Sequence, residues 1–479
     1  MRLYRIQKKT GYVNPVFLYL CTSNSERMDN EKRAGFTSGF GAVAAAAGSA
    51  IGLGNIWRFP YTVGQNGGGA FLLIYIIFVF LLGVPLIMSE FVMGRRSGHN
   101  VLGAYRSLAP QRKAWQSVGW LAILSAFMIY SFYSVVAGWT FNYIVLAGAG
   151  KFEGQSAEAI SQIFSDFTTH AWHPIFYLGM FIFFTAGVVV KGVQKGIEKT
   201  CKVLMPVLLL LMILLCVRSV TLEGASKGLE FLFKPDFRAL TAGGVLSALG
   251  QALFSLSLGM GCLVTYGSYV RKEDNLLKTS VSIAAADTLI AVLAGVAIFP
   301  AVFAFGMSPA SGPSLVYEVL PNVFNALPLG TVFATLFFIL LTIAALTSTI
   351  SLLEILVSWA VEELHMKRMV ATVFCSVLVF AIGALCSLSF GPLSHVTVGG
   401  LSIFGLFDKL TATYFMPIGA LALTLFVGWQ MPSADSFDEL SNGGTLKCTY
   451  YKIWLFTVRY LAPIALAIIL IAGSLGAEI

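Results

Sequence analysis

The chain reads as an all-α polytopic membrane protein whose first and sixth spans are broken in mid-membrane, and three features lead there. Of 479 residues, 57% are hydrophobic and 11% charged, with a mean hydropathy of +0.81. That leaves too little polar surface to keep one globule in water. Apolar runs of the roughly 20 residues that a helix needs to cross hydrocarbon recur along nearly the whole length. Two of those runs carry clustered glycine, hydroxyl and amide residues where a helix ought to continue.

Eleven runs fall near 38–65, 70–93, 118–148, 173–190, 201–220, 242–270, 277–305, 329–361, 369–388, 397–428 and 452–475. A transmembrane β-barrel is excluded, because its strands alternate in polarity over about 10 residues. The net charge of +8 would suit nucleic acid, but its distribution makes it a topology signal instead. Lys and Arg concentrate in 2–33, 95–113, 191–202, 271–278, 367–368 and 447–452. In the opposite loops Lys151, Arg218, Lys227, Lys234 and Arg238 are balanced by Glu153, Glu158, Asp166, Glu223, Glu230 and Asp236. The positive-inside rule then puts the N terminus in the cytoplasm and the C terminus outside. The expected division is a cytoplasmic segment 1–37, a repeat of five spans 38–220, an external loop 221–241, a second repeat 242–428, a cytoplasmic loop 429–451, and a last span with a short C terminus 452–479.

Residues 1–30 are basic with one short apolar run, 13–21. The order of charges and the lack of a small-residue cleavage site argue against a signal peptide, and Met28 opens a more ordinary beginning. Seven cysteines are scattered, without a disulfide framework or a CxxC metal pair.

In the first span Gly48, Ser49, Gly52, Gly54 and Asn55 sit together. Glycine and asparagine propagate a helix poorly, so it opens here. Gly48 and Gly52 also make the small-residue pattern by which membrane helices pack. The sixth span decides between these, because SLSLGMG at 255–261 repeats the polar, glycine-rich interruption. The two lie five spans apart. Five is odd, so a second copy of a five-span repeat lies inverted in the membrane. Paired broken helices in such repeats mark a site near the midplane, where half-helix N termini favour a carboxylate and opened carbonyls a cation.

GSAIGLGNIWRFPYTVGQNGGGAF, then PLIMSEFVMGRRSG, QALFSLSLGMG, TYGSYVRK and ALTSTIS, in this order, resemble the neurotransmitter:sodium symporter family, in its bacterial amino-acid transporter branch with the leucine-transporter fold. The resemblance covers about 31–475. It implies two sodium sites, built from the oxygen ligands that a hard cation prefers. The first would use the Ala50 carbonyl, Asn55, Ser255, Asp287 and the substrate carboxylate. The second would use the carbonyls of Gly48, Ile51 and Ala344 with the hydroxyls of Thr347 and Ser348.

Asp287 departs from the family, which often has Asn there. A carboxylate inside a span is costly and by default functional. Some members bind chloride to offset sodium; others carry a carboxylate one turn on, where this chain has Ala291. Asp287 is expected to do both jobs, with Tyr75, Gln251 and Ser255 around it.

Family members that carry amines have Asp where this chain has Gly52, so the substrate is expected to bring its own carboxylate. That group would meet the amides of Leu53 and Gly54, the Tyr133 hydroxyl and the first sodium. The ammonium would meet the carbonyls of Ala50, Phe254 and Leu256 and the Ser257 hydroxyl. The pocket by resemblance is Ser49, Ile129, Tyr133, Phe254, Ser257, Met260, Ser348 and Leu352. Met260 is adaptable and flanked by glycines, which points to a hydrophobic or aromatic α-amino acid. The alternative is a carrier of small amino acids or osmolytes, and a channel or receptor on the same fold is the different class.

Arg58 and Asp408 resemble an external gate above a Tyr133 and Phe254 lid. Arg33, Glu362 and Tyr269 match an internal one, covered by Phe36. Nothing in the sequence points to an enzyme: there is no P-loop, zinc spacing or Ser-His-Asp set. The cofactor expectation is Na+ at two sites. The expected partners are an amino-acid substrate and the lipid bilayer, without nucleic acid. The expected location is the bacterial inner membrane. Relatives have twelve spans, so dimer contacts that use the last one leave the oligomeric state open.

Overall fold

The structure, a computed structural model, describes residues 35–306, 316–325 and 327–475. It is almost wholly helical. The first helices are α1 (Gly39–Ala50), α2 (Gly54–Gln65), α3 (Gly69–Ser97), α4 (Val101–Leu108), α5 (Lys113–Gly148), α6 (Ala157–Thr169), α7 (His173–Val189), α8 (Val193–Val220) and α9 (Ala225–Phe233). Then follow α10 (Ala242–Ser255), α11 (Cys262–Gly267), α12 (Leu276–Ala304), α13 (Val319–Asn325), α14 (Gly330–Glu363), α15 (Arg368–Leu388), α16 (Ile403–Gln430), α17 (Ser433–Leu440) and α18 (Tyr451–Ser474). A two-residue hairpin, Thr397–Val398 with Leu401–Ser402, precedes α16.

Among the described residues, eight helices are long and apolar enough to cross a membrane, or up to ten if each of two bent pairs counts as one span. The pairs are α1 with α2, bent by 50°, and α6 with α7, bent by 74°. Length and composition alone therefore do not return the expected eleven. The shortfall has a local cause: the expected sixth span is divided into α10, of 14 residues, and α11, of 6.

Both expected interruptions are present. Ser38 caps α1, its hydroxyl accepting from the Gly41 amide, and Ile51 turns extended at φ −74° and ψ 103° to end the helix. The chain resumes at Gly54 with a wide π turn, Gly54–Arg58. In the second break Ser257, Gly259 and Gly261 all have positive φ. Glycine at 259 and 261 thus lets the chain leave the helix at low steric cost.

Around these breaks α14 packs along α5, α12 along α8, and α11 against α3. Helix α1 is wedged among α8, α12 and α14. Its sequence, GFGAVAAAAGSA, lets it sit deep in the bundle but gives it little side-chain area of its own.

A buried ion pair ties α3 to α17: Arg95 Nε donates to Glu439 Oε2 at 2.7 Å, and both side chains are 2% exposed. Arg95 also donates to the carbonyls of Glu439 and Asp274 and to Asn442 Oδ1. Breaking a buried pair by removing one partner costs about 3–5 kcal/mol. Arg95→Ala is therefore expected to lower the apparent melting temperature of the purified protein by several degrees or more, read by thermal unfolding. Substitution of the exposed Arg112 is expected to leave it unchanged.

Candidate functional site

The two breaks face each other. Helix α10 delivers Ser255 and α12 delivers Asp287 to Asn55 of α2. Asn55 Nδ2 donates to Ser255 Oγ at 2.9 Å, to Asp287 Oδ1 at 2.8 Å and to the Asp287 carbonyl at 3.2 Å. Its Oδ1 accepts from the Gly52 amide at 3.0 Å. Ser255 Oγ lies 2.9 and 2.8 Å from the two Asp287 oxygens, and the Tyr75 hydroxyl donates to Asp287 Oδ2 at 3.0 Å. Asn55, Asp287 and Tyr75 have no exposed surface. Gln251 turns its Nε2 to the Gly54 carbonyl at 3.1 Å. Carboxylate and hydroxyl oxygens gathered in a buried place are donor chemistry suited to a hard monovalent cation, and Asn55 turns Nδ2 toward them while its Oδ1 holds the Gly52 amide.

A second oxygen cluster joins α1 to α14. Ser348 Oγ lies 3.5, 3.2 and 3.4 Å from the carbonyls of Gly48, Ser49 and Ile51. Thr347 Oγ1 lies 3.0 Å from the Ala344 carbonyl and 3.5 Å from that of Ile51. The five groups expected for a second sodium are thus within reach of one another, and every donor atom is oxygen. Among the described residues no group of three His, Cys, Asp or Glu side chains converges on a metal position.

Beside the first cluster, the Leu53 amide donates to the Tyr133 hydroxyl at 2.8 Å, bringing together two of the groups expected to meet a carboxylate. Ser257 Oγ donates to the Ser49 carbonyl at 3.1 Å, and Ser49 Oγ contacts Cys262 Sγ and Ser351 Oγ. A small inner cavity of about 30 Å³ is lined by Ser49, Ala50, Gly54, Ile129, Tyr133, Phe254, Ser257, Met260, Ser348 and Leu352, all expected, and also by Gly52, Ser255 and Met416. Leu53 lines instead the wider cavity of about 680 Å³. The Leu256 side chain is fully buried. Met416, in α16 before Pro417, carried no signal in the sequence.

Gly52 is also a point of close contact in this geometry. A Cβ there would sit 2.4 Å from Ser348 Oγ and 2.7 Å from the Tyr133 hydroxyl, so the glycine is where backbone and two hydroxyls close on each other.

The wider cavity is lined by Arg58, Asp408, Lys409, Tyr133 and Phe254, among others. The Arg58 guanidinium lies over the Phe254 ring, 4.5 Å from its centroid, an attractive cation–π contact.

On the other side, Arg33 falls outside the described residues. Glu362 accepts from the Asn100 amide and side chain, each at 2.8 Å. Phe36 is 3% exposed and packs edge-on against Tyr266 and Tyr269. The Tyr269 hydroxyl donates to Glu354 at 2.7 Å, and Glu354 is paired with Arg368. Glu354 was not singled out from the sequence. Nor was Glu90, which accepts from the amides of Gly259 at 2.9 Å and Val264 at 3.1 Å and so satisfies backbone opened by the second break. Both are acids within spans, and that signal was available.

Buried hard oxygens at paired helix breaks, beneath a wide cavity in a polytopic bundle, define a cation-dependent membrane transporter. The comparisons with known proteins specify the class. The profile of the Sodium:neurotransmitter symporter family matches residues 33–158 and 148–477. The chain is 41% identical over 442 residues to the uncharacterized sodium-dependent transporter YhdH of Bacillus subtilis, covering 92% of this chain and 98% of that one. It is 37% identical over 455 residues to an uncharacterized sodium-dependent transporter of Haemophilus influenzae, covering 93% and 99%. To the human sodium- and chloride-dependent GABA transporter 2 it is 25% identical over 453 residues, covering 84% and 73%. The crystal structure of MhsT in complex with L-phenylalanine matches with a TM-score of 0.85 at 42% identity, over 92% of this chain and 100% of that one. The chain belongs to the sodium:neurotransmitter symporter family, with the leucine-transporter fold. It is a sodium-dependent transporter.

The crowding at Gly52 carries a prediction. Gly52→Ala forces Ser348 or Tyr133 away and is expected to lower sodium-driven uptake into proteoliposomes by about 5–150-fold, the equivalent of roughly 1–3 kcal/mol for overpacking. Wild-type uptake in the variant would show that the close approach is dispensable.

Proposed function

We propose that the protein is a sodium-coupled symporter importing a hydrophobic or aromatic α-amino acid by alternating access. The observation that carries this reading is the Tyr133 hydroxyl on the Leu53 amide, next to the Asn55, Ser255 and Asp287 cluster, with no acid at position 52. A substrate carboxylate would take the Tyr133 hydroxyl and the freed amides of Leu53 and Gly54 while completing the first sodium's oxygens. The ammonium would lie at the carbonyls of Ala50, Phe254 and Leu256 and at Ser257. The similarity to a structure described as MhsT in complex with L-phenylalanine supports the substrate class.

On this reading Na+ binds at two sites, Ala50, Asn55, Ser255 and Asp287 forming one and Gly48, Ile51, Ala344, Thr347 and Ser348 the other. Asp287 stands in for chloride. Arg58 and Asp408 guard the outer cavity, and Arg33, Glu362 and Tyr269 the inner side. The repeats are 38–220 and 242–428, in a bacterial inner membrane with the N terminus cytoplasmic, as the placement of Lys and Arg supports.

A second reading, a small amino acid or osmolyte, is favoured by the inner cavity of about 30 Å³, room for only about two waters. Its walls include Met260 and Met416, whose unbranched side chains adapt readily, which is why we prefer the bulkier class.

A competition panel against sodium-driven uptake separates the two: tryptophan, tyrosine, phenylalanine and leucine are expected to compete at lower concentration than glycine or betaine, and the reverse order selects the second reading. Concentrative uptake of none of the twenty amino acids would overturn the symporter reading. Tyr133→Phe removes a hydrogen bond to a charged group, about 1.5–3 kcal/mol, and is expected to raise KM by about 10–100-fold. Uptake is expected to be equal in chloride and gluconate, and strict chloride dependence would remove the role given to Asp287.

A further inference from the structure

Glu198, in the first turns of α8, is 1% exposed and gathers four donors on one carboxylate. Its Oε2 accepts from the Thr37 amide at 2.8 Å, and its Oε1 accepts from the Thr37 hydroxyl at 2.6 Å, from the Ser38 hydroxyl at 3.3 Å and from Lys202 Nζ at 2.6 Å. Ser38 is the N-cap of α1, so three of the four donors belong to the start of that helix. The approach is close enough to exclude a side chain at Gly41, where a Cβ would lie 2.0 Å from Glu198 Oε1. A carboxylate at a helix N terminus also meets the positive end of its dipole. Helix α1 carries the Gly48 and Ile51 carbonyls of the second oxygen cluster, and its small side chains offer little dispersion energy to hold its lower end. Charge-assisted hydrogen bonds are the strong ones.

We propose that Glu198 is the positioning residue that latches α1 against α8 and so sets how readily the inner half of the first span opens. This rests on the alternating-access reading above. Opening must break all three bonds from Thr37 and Ser38 together, and sodium at Gly48 and Ile51 would add its own hold ten residues further along the same helix.

Cys201, one turn past Glu198 and fully buried, reports on the latch. Its sulfur lies 3.4 Å from the position of a Cβ on Gly48, so departure of α1 uncovers it. Alkylation of Cys201 by N-ethylmaleimide, followed by mass spectrometry on the purified full-length protein without substrate, gives the rate. Glu198→Gln keeps the shape and loses the charge, while Gly41→Ala keeps the carboxylate and pushes it away. Both are expected to speed alkylation about tenfold or more at low sodium, the factor that a weakening of about 1.4 kcal/mol gives, and saturating sodium is expected to return the rate toward wild type. Unchanged rates in both variants would overturn the latch. Acceleration that sodium does not reverse would also overturn it, since that is the signature of a damaged fold. Wild-type uptake measured in parallel separates the two failures: no accumulation sinks the carrier reading, whereas accumulation with unchanged alkylation sinks the latch alone.

Discussion

Hydrocarbon offers no water to complete a hydrogen bond, so each amide and carbonyl freed where a membrane helix opens must be met by a protein group or an ion. The two breaks answer that demand with side chains, one from the break itself and the others from far along the chain. Asn55 takes the Gly52 amide and Tyr133 the Leu53 amide. Glu90 takes two amides of the second break, and Ser257 bonds back to the Ser49 carbonyl. Ser348 sits among three carbonyls of the first break. Since the groups that stabilise the opened backbone are also those suited to a cation and a carboxylate, ligand binding and the integrity of the breaks draw on the same contacts. On the function proposed above, loss of an ion would loosen the half-helix that supplied its carbonyls, the linkage that alternating access requires.

The interruptions were legible because glycine, serine and asparagine fail in a membrane helix for local reasons, visible in a stretch of seven or eight letters. Asp287 was legible because a lone acid in an apolar span is costly. The second oxygen cluster required the resemblance, since Thr347 and Ser348 alone read as hydroxyls bonding back to their own helix. Contacts across distant elements stayed hidden. Glu198 sits in a stretch rich in Lys, which reads as a topology signal, and its partners Thr37 and Ser38 are 161 and 160 residues away. Glu354 lies a turn and a half beyond Ser348, where the attention of the motif ends. Gly52 was legible as the absence of an acid, but not as a point of contact, because that depends on where α14 and α5 run.

The carboxylates divide the work. Asp287 sits with hydroxyl and amide groups, where a cation is the natural counter-charge. Glu90 meets backbone amides, Glu354 an arginine and a tyrosine hydroxyl, and Glu198 the start of α1. Each has the partners that a buried acid requires, and each joins two elements that alternating access would have to move apart or together.

The central claim is that substrate carboxylate and first sodium are ligands of one another. Linkage makes this measurable: phenylalanine must tighten sodium binding by the same factor by which sodium tightens phenylalanine. Equilibrium sodium binding titrated with and without saturating phenylalanine, and then with its decarboxylated amine, tests it. The account predicts a gain of about 5–150-fold, the usual range of such coupling, with phenylalanine and none with the amine. Equal sodium affinity with and without phenylalanine, at concentrations where phenylalanine is bound, would contradict it.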